Sequence, residues 1–96
     1  MIKSNLEWIQ NWFSSQVNGE WEHHQGIQIE SLDNPGWRVV IDLNQTSFES
    51  KKFEEIKIEE GIEWASIRVT DGIFEAFVSI NKLDWALKIF RKFIEE

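Results

Sequence analysis

The residues best suited to chemistry lie in one short run, Trp21-Glu22-His23-His24. A carboxylate beside two imidazoles could hold a metal ion or act as an acid–base pair. If the run is extended, as the strand pattern that follows it suggests, its adjacent side chains point to opposite faces. The two histidines could not then easily share one ion, and the HEXXH spacing of zinc peptidases is absent. The run therefore favours surface or partner-facing histidines over a metal site.

Other signatures of catalysis are missing from the sequence. There is no Gly-x-Ser-x-Gly pattern and no glycine-rich phosphate loop, and the absence of cysteine excludes thiolate nucleophiles and ligands. The paired acids Glu54-Glu55 and Glu59-Glu60 would diverge on a strand, which is typical of charges that protect a sheet edge. We therefore predict a protein that is not an enzyme and uses no metal and no cofactor.

Length, composition and charge narrow the remaining possibilities for domain number, cellular location and binding partner. A chain of 96 residues suits a single domain over 1–96, and seven Phe and six Trp supply enough apolar surface for a core. No segment has the length and composition of a signal peptide or a membrane span, so we predict a cytoplasmic protein. The net charge of −7 argues against nucleic acid as a direct partner. It suits either solubility or attraction of a basic partner.

The elements that would position these residues follow from periodicity. A first helix is predicted over 5–17, beginning at a Ser4–Glu7 capping box. Strands are predicted over 26–32, 37–43 and 53–60. The predicted apolar stripe of the helix is Leu6, Ile9, Phe13 and Val17.

Two turns fix the expected register of the strands. Asp71-Gly72 is the two-residue signal of a type I′ hairpin, and it predicts that Val69 faces Phe74 and that Arg68 faces Glu75. The turn before Trp37 must contain an odd number of residues to keep the isoleucines of both strands on one face. Five residues are favoured because Pro35 disfavours a helical conformation at the residue before it, with Gly36 at positive φ.

A last helix is predicted after Asn81 as its N-cap. The predicted fold is α+β: an N-terminal helix, a five-stranded, mostly antiparallel, meander-like sheet and a C-terminal helix, with both helices packed on one sheet face. The order of the strands stays open. Trp64 and Phe77 fall on the opposite face of the hairpin, where they could pack under another element or form a secondary interaction face.

Two motifs resemble the immunity protein 53 family of bacterial polymorphic-toxin systems. They are Asn18-Gly19-Glu20-Trp21-Glu22-His23 and Leu32-Asp33-Asn34-Pro35-Gly36-Trp37, the latter followed by Ile41-Asp42-Leu43. The likeness continues more weakly beyond Phe53. It implies a cytoplasmic, non-enzymatic protein that binds and neutralises a cognate toxin domain encoded beside it.

The resemblance and the charge together suggest where such a toxin, possibly a basic one, would bind. The alternative function is that of a small acidic adaptor or a homodimeric interaction module that docks through Trp64 and Phe77. Under either function, we predict that the chain is a monomer or a weak homodimer. Within the toxin-binding set, Trp37 could equally fill the core and Asn34 could serve the turn alone. The predicted toxin-binding residues are Glu20, Trp21, Glu22, His23, Glu30, Asp33, Asn34, Trp37 and Asp42.

Overall fold

The computed structural model describes residues 4–96, so the first three residues of the predicted 1–96 domain lie outside the description. In the described chain the five strands follow one another, with no helix between them. In chain order the elements are α1 (Asn5–Gln16), α2 (Trp21–His24), β1 (Gly26–Leu32), β2 (Gly36–Asp42), β3 (Ile56–Glu60), β4 (Glu63–Thr70), β5 (Ile73–Ser79) and α3 (Leu83–Glu95).

The five strands form one open antiparallel sheet in the order β1-β2-β5-β4-β3. The β1–β2 hairpin and the β3–β4–β5 meander are joined where β2 pairs with β5. The connector from β2 to β3 crosses the helix side of the sheet, where Phe48 contacts Trp12 and Phe53 contacts Phe74. The predicted α+β class is confirmed, and the structure supplies the strand order that the sequence leaves open.

The β4–β5 hairpin has the predicted register. Asp71 and Gly72 both have positive φ, 54° and 76°, as a type I′ turn requires. Val69 lies opposite Phe74, and Arg68 lies opposite Glu75. The local signal was sufficient here because a two-residue turn leaves only one register.

The β1–β2 hairpin confirms the odd loop length but not the favoured length of five. Leu32 pairs with Gly36, which leaves a loop of three residues, Asp33–Pro35, in which the Asn34–Pro35 peptide bond is cis. The shorter loop adds the Leu32–Gly36 pair to the ladder. The prediction of a positive φ at Gly36 is also wrong.

Gly36 is required for a different reason, the close approach of its neighbours. A Cβ at this position would lie 2.5 Å from the backbone oxygen of Val78 and 2.8 Å from the ring of Trp64. Any side chain would therefore displace either the neighbouring strand or the indole. The glycine lets the edge of the Trp64 indole approach β2 on the face of the sheet away from the helices.

Helix α1 begins as predicted and buries Ile9 of the predicted stripe, with Phe13 packed against the core, but its buried face is shifted towards Trp12. The Ser4 hydroxyl accepts a hydrogen bond from the Glu7 amide at 3.1 Å, which confirms the N-cap. Leu6 and Val17 of the predicted stripe are exposed, whereas Trp12 is buried. The helix is rotated because the large indole rings bury more apolar area against α3 than the aliphatic side chains would.

The core lies between the sheet and the two long helices. Phe90 of α3 contacts Phe74 of β5 and Trp12 of α1, each with ring centroids 5.0 Å apart. Helix α3 has Lys82 rather than the predicted Asn81 at its N-cap position, and no side chain caps it. Both helices pack on one face of the sheet, as predicted, and the other face is left open.

Candidate functional site

Four of the predicted toxin-binding residues lie on or beside the short helix α2. Side-chain hydrogen bonds hold the turn that leads into this helix. The Glu22 carboxylate accepts from the backbone amides of Asn18 at 3.0 Å and Gly19 at 2.7 Å. The Asn18 side chain in turn accepts from the amides of Glu20 and Trp21. Hydrogen bonding of the Glu22 carboxylate to the backbone amide of Asn18, and then to those of Glu22 itself and Gly19, lowers the pKa of Glu22 below its ordinary value. Glu22 therefore holds this turn as an ionised carboxylate.

Trp21, one of the predicted toxin-binding residues, is a core residue and is not exposed for contact. Its side chain is 0% exposed, and its indole Nε1 donates to the backbone oxygen of Asp42 at 3.1 Å. The ring also packs against Trp12 and Phe13, with centroids 5.8 and 5.5 Å away. Trp21 fastens α2 to the end of β2, and it could reach a partner only if the core opened.

The histidines lie on a helix and not on an extended segment, so the geometric premise used against a metal site was wrong. His23 is exposed, and its Nε2 lies 3.9 Å from the nearer carboxylate oxygen of Glu22. The Glu22 carboxylate already accepts hydrogen bonds from two backbone amides. Within residues 4–96, no three His, Cys, Asp or Glu side chains are grouped as metal ligands. His23 and the neighbouring Glu20 are both exposed.

The residues of the β1–β2 hairpin divide in the same way between structural and exposed positions. Trp37 is half-buried, and its Nε1 donates to the backbone oxygen of Ile80 at 2.9 Å. The Asp42 carboxylate accepts from the Asn44 amide at 2.9 Å and so shapes the connector. By contrast, the loop residues Asp33 and Asn34 are exposed.

The exposed members of the predicted set do not form one cluster. Glu20 and His23 lie near the start of β1, and the loop of Asp33 and Asn34 lies at its other end, about 20 Å away at ~3.3 Å per strand residue. Glu30 lies between them on β1 itself. The candidate surface is therefore a line along β1 rather than a compact patch.

Glu30 belongs to a ladder of charges that crosses four strands. Arg38 Nη1 donates to Glu30 at 2.9 Å, and Arg38 Nη2 and Nε donate to Glu75 at 3.0 and 3.2 Å. Arg68 completes the ladder 3.5 Å from Glu75. Hydrogen bonding to Glu30, and then to Glu75, raises the pKa of Arg38 above its ordinary value. The sequence predicted only the Arg68–Glu75 pair. The Arg38–Glu75 contact depends on β2 lying beside β5, whereas the Glu30–Arg38 contact follows from the register of the β1–β2 hairpin.

The second predicted surface, Trp64 and Phe77, lies on the open sheet face and is engaged within the chain. Both side chains are half-buried. Trp64 covers Gly36, and the Arg38 guanidinium lies 5.8 Å from the centre of the Phe77 ring. These contacts account for two aromatic residues on a face that carries charge elsewhere.

A comparison with known protein families covers the part of the chain that contains all of these residues. A family model described as Immunity protein 53 matches residues 6–95, nearly the whole chain. The chain belongs to the immunity protein 53 family. No curated protein and no solved structure matches it.

Family membership confirms the resemblance drawn from the two motifs and supports an immunity role. The motif residues have separate uses in this immunity protein, since Asn18, Glu22 and Trp21 build the turn while Glu20 and His23 are displayed. In the described part of the chain, no helix is long and apolar enough to cross a membrane.

Proposed function

We propose that this immunity protein neutralises one cognate toxin domain, encoded beside it in a polymorphic-toxin system, by forming a stoichiometric complex without catalysis. The observation that carries the proposal is the family match over residues 6–95. The toxin is a basic protein in this proposal, because the chain carries seventeen acidic and ten basic residues. The complex forms in the cytoplasm of the cell that makes both proteins.

The exposed residues along β1 support binding as the mechanism. Glu20, His23, Asp33 and Asn34 are exposed. The first two lie at a turn held by side-chain hydrogen bonds, and the other two lie in a three-residue hairpin loop. Such short, hydrogen-bonded supports lose little conformational freedom on binding, which favours tight association. A site of this kind needs no reacting group of its own.

The deciding experiment is co-expression with the protein encoded by the adjacent gene. We expect that protein to stop growth, and this chain to restore growth and to co-purify with it at a 1:1 ratio, measured by light scattering. Glu20→Lys with Asp33→Lys should weaken rescue. Glu54→Lys with Glu55→Lys, the same charge change at exposed positions before β3, should not. Toxicity that this chain does not relieve would refute the proposal.

A further inference from the structure

The two edges of the sheet differ in how they are protected. Among residues 4–96, strand β3 pairs only with β4. It is short, exposed acidic residues 54–55 precede it, and its own residues 57, 59 and 60 are charged and exposed. Charges of this kind prevent another strand from adding to an edge. Strand β1, at the other edge, has seven residues and a single charge, Glu30, which Arg38 binds at 2.9 Å. In the described residues, β3 therefore carries three exposed charged residues within its five positions, whereas β1 carries one charged residue among seven.

The β1 edge is also physically open. Residues 28–31 are consecutive and exposed, and Ile29 on the helix side is 42% exposed. Among residues 4–96, the backbone hydrogen bonds of turns, loops and caps do not involve residues 27–31. Half of the backbone groups of an edge strand point away from its neighbour, so β1 presents a row of free donors and acceptors about 20 Å long.

The charges around this edge indicate the chemistry of an occupant. Glu20 precedes the strand, Asp33 follows it, and both are exposed. A hollow of about 190 Å³ at the start of β1 is lined in part by His24, Gln28 and Asp42. Gln25 also lines it, and its buried Oε1 accepts no hydrogen bond from the described residues. The exposed carboxylates at both ends of the strand suit lysine or arginine side chains of a partner.

We propose that the free edge of β1 binds a basic, extended segment of the toxin, which adds to the sheet as a sixth strand. This inference rests on the proposed function and specifies how the complex forms. Main-chain hydrogen bonds to β1 supply affinity, and alternate side chains supply specificity. An apolar side chain of the toxin packs beside Ile29, and lysine or arginine side chains lie on the opposite face beside Gln28 and Glu30.

A second copy of the chain fits this edge less well. Antiparallel self-pairing centred on Ile29 would place Glu30 opposite Gln28 without a direct clash. It would, however, bring together two chains that each carry a net charge of −7, and the exposed carboxylates of Glu20 and Asp33 would gain no cationic partner strand. A basic toxin strand satisfies both requirements.

The test uses opposite charges at one position. Ile29→Lys and Ile29→Glu both place a charge on the edge, so we expect each to weaken binding of the toxin encoded by the adjacent gene by roughly tenfold or more. If only the electric field mattered, Ile29→Glu would strengthen binding and Ile29→Lys would weaken it. The matched controls are Ile62→Lys and Ile62→Glu, because Ile62 is 86% exposed in the β3–β4 turn. Thermal unfolding verifies that all four variants fold.

Hydrogen exchange supplies an independent measurement. In the complex, alternate amides of residues 28–31 should gain protection, since those pointing away from β2 would then be hydrogen bonded. Binding that is unchanged in both Ile29 variants, or the absence of added protection in a complex that forms, would overturn strand addition and leave the proposed function standing. A dimer of this chain that Ile29→Lys dissociates would also overturn it. A wild-type chain that binds no toxin would refute both proposals.

Discussion

At the scale of single residues, Glu22 shows that a residue of the family-like motif 18–23 has a structural role in the turn before α2. Its ionised carboxylate accepts two backbone hydrogen bonds, and its pKa is lowered. A lowered carboxyl pKa stabilises the fold above the ordinary glutamate pKa of about 4.3, and this contribution is lost as the pH falls through the lowered value. We therefore expect Glu22→Gln to reduce the urea midpoint at pH 7, and the difference from wild type to shrink with acidification.

Glu20→Gln is the control for this prediction, since Glu20 is exposed and neighbours the same turn. Its urea midpoint should follow that of the wild type at each pH. A Glu22→Gln deficit of the same size at pH 7 and pH 3 would show that the lost interaction does not depend on the charge.

Tryptophan illustrates what the sequence could not decide at this scale. Trp21 and Trp37 lie in the two motifs, and their residue type is common both in cores and in binding surfaces. In the structure both indoles donate to backbone oxygens, those of Asp42 and Ile80, but only Trp21 is fully buried, whereas Trp37 is half-buried. Those acceptors are 21 and 43 residues away along the chain, so no local pattern could have indicated the bonds.

At the scale of elements, the charge ladder ties the hairpin β1–β2 to the meander through β5. The side chains of Arg38 and Glu75 are only 30% and 19% exposed, so removing one leaves the other poorly solvated and with one remaining charged partner, Glu30 for Arg38 and Arg68 for Glu75. We expect Arg38→Met and Glu75→Met each to lower the free energy of unfolding by about 1–3 kcal/mol. The double variant should lose less than the sum, by at least about 0.5 kcal/mol.

The Lys57–Glu59 pair provides the reference for this double-mutant cycle. Its atoms lie 3.6 Å apart, but its side chains are 64% and 76% exposed. Water and salt screen such a pair, so its coupling should be about 0–0.5 kcal/mol. Equal couplings for the two pairs, measured by urea unfolding, would mean that the ladder is no more than surface charge.

The elements also show which structural information is local. The bounds of β1 and the register around Asp71-Gly72 could be predicted, because turn chemistry and side-chain alternation are encoded within a few residues. The pairing of β2 with β5 could not, since it joins Gly36 to Ser79 across the sequence. The rotation of α1 was missed for the same reason, because it depends on where Phe90 of α3 lies.

At the scale of the whole molecule, the net charge of −7 is the property most relevant to meeting a toxin. Long-range attraction accelerates encounter between oppositely charged proteins, and salt weakens it. The Debye length falls from about 30 Å at 0.01 M to about 8 Å at 0.15 M ionic strength. We therefore expect the association rate with the toxin to fall by roughly tenfold or more over this range, measured by stopped flow, while the dissociation rate changes little.

Two charge-matched double variants separate the field near β1 from the net charge. Glu20→Gln with Asp33→Asn and Glu54→Gln with Glu55→Gln each remove two exposed carboxylates, the first pair beside β1 and the second at the opposite edge of the sheet. If the toxin approaches along β1, the first variant slows association more, because the field at the encounter falls off within about a Debye length. Equal slowing would assign the effect to net charge alone. A rate independent of salt would remove electrostatic steering, and with it the reason to expect a basic toxin.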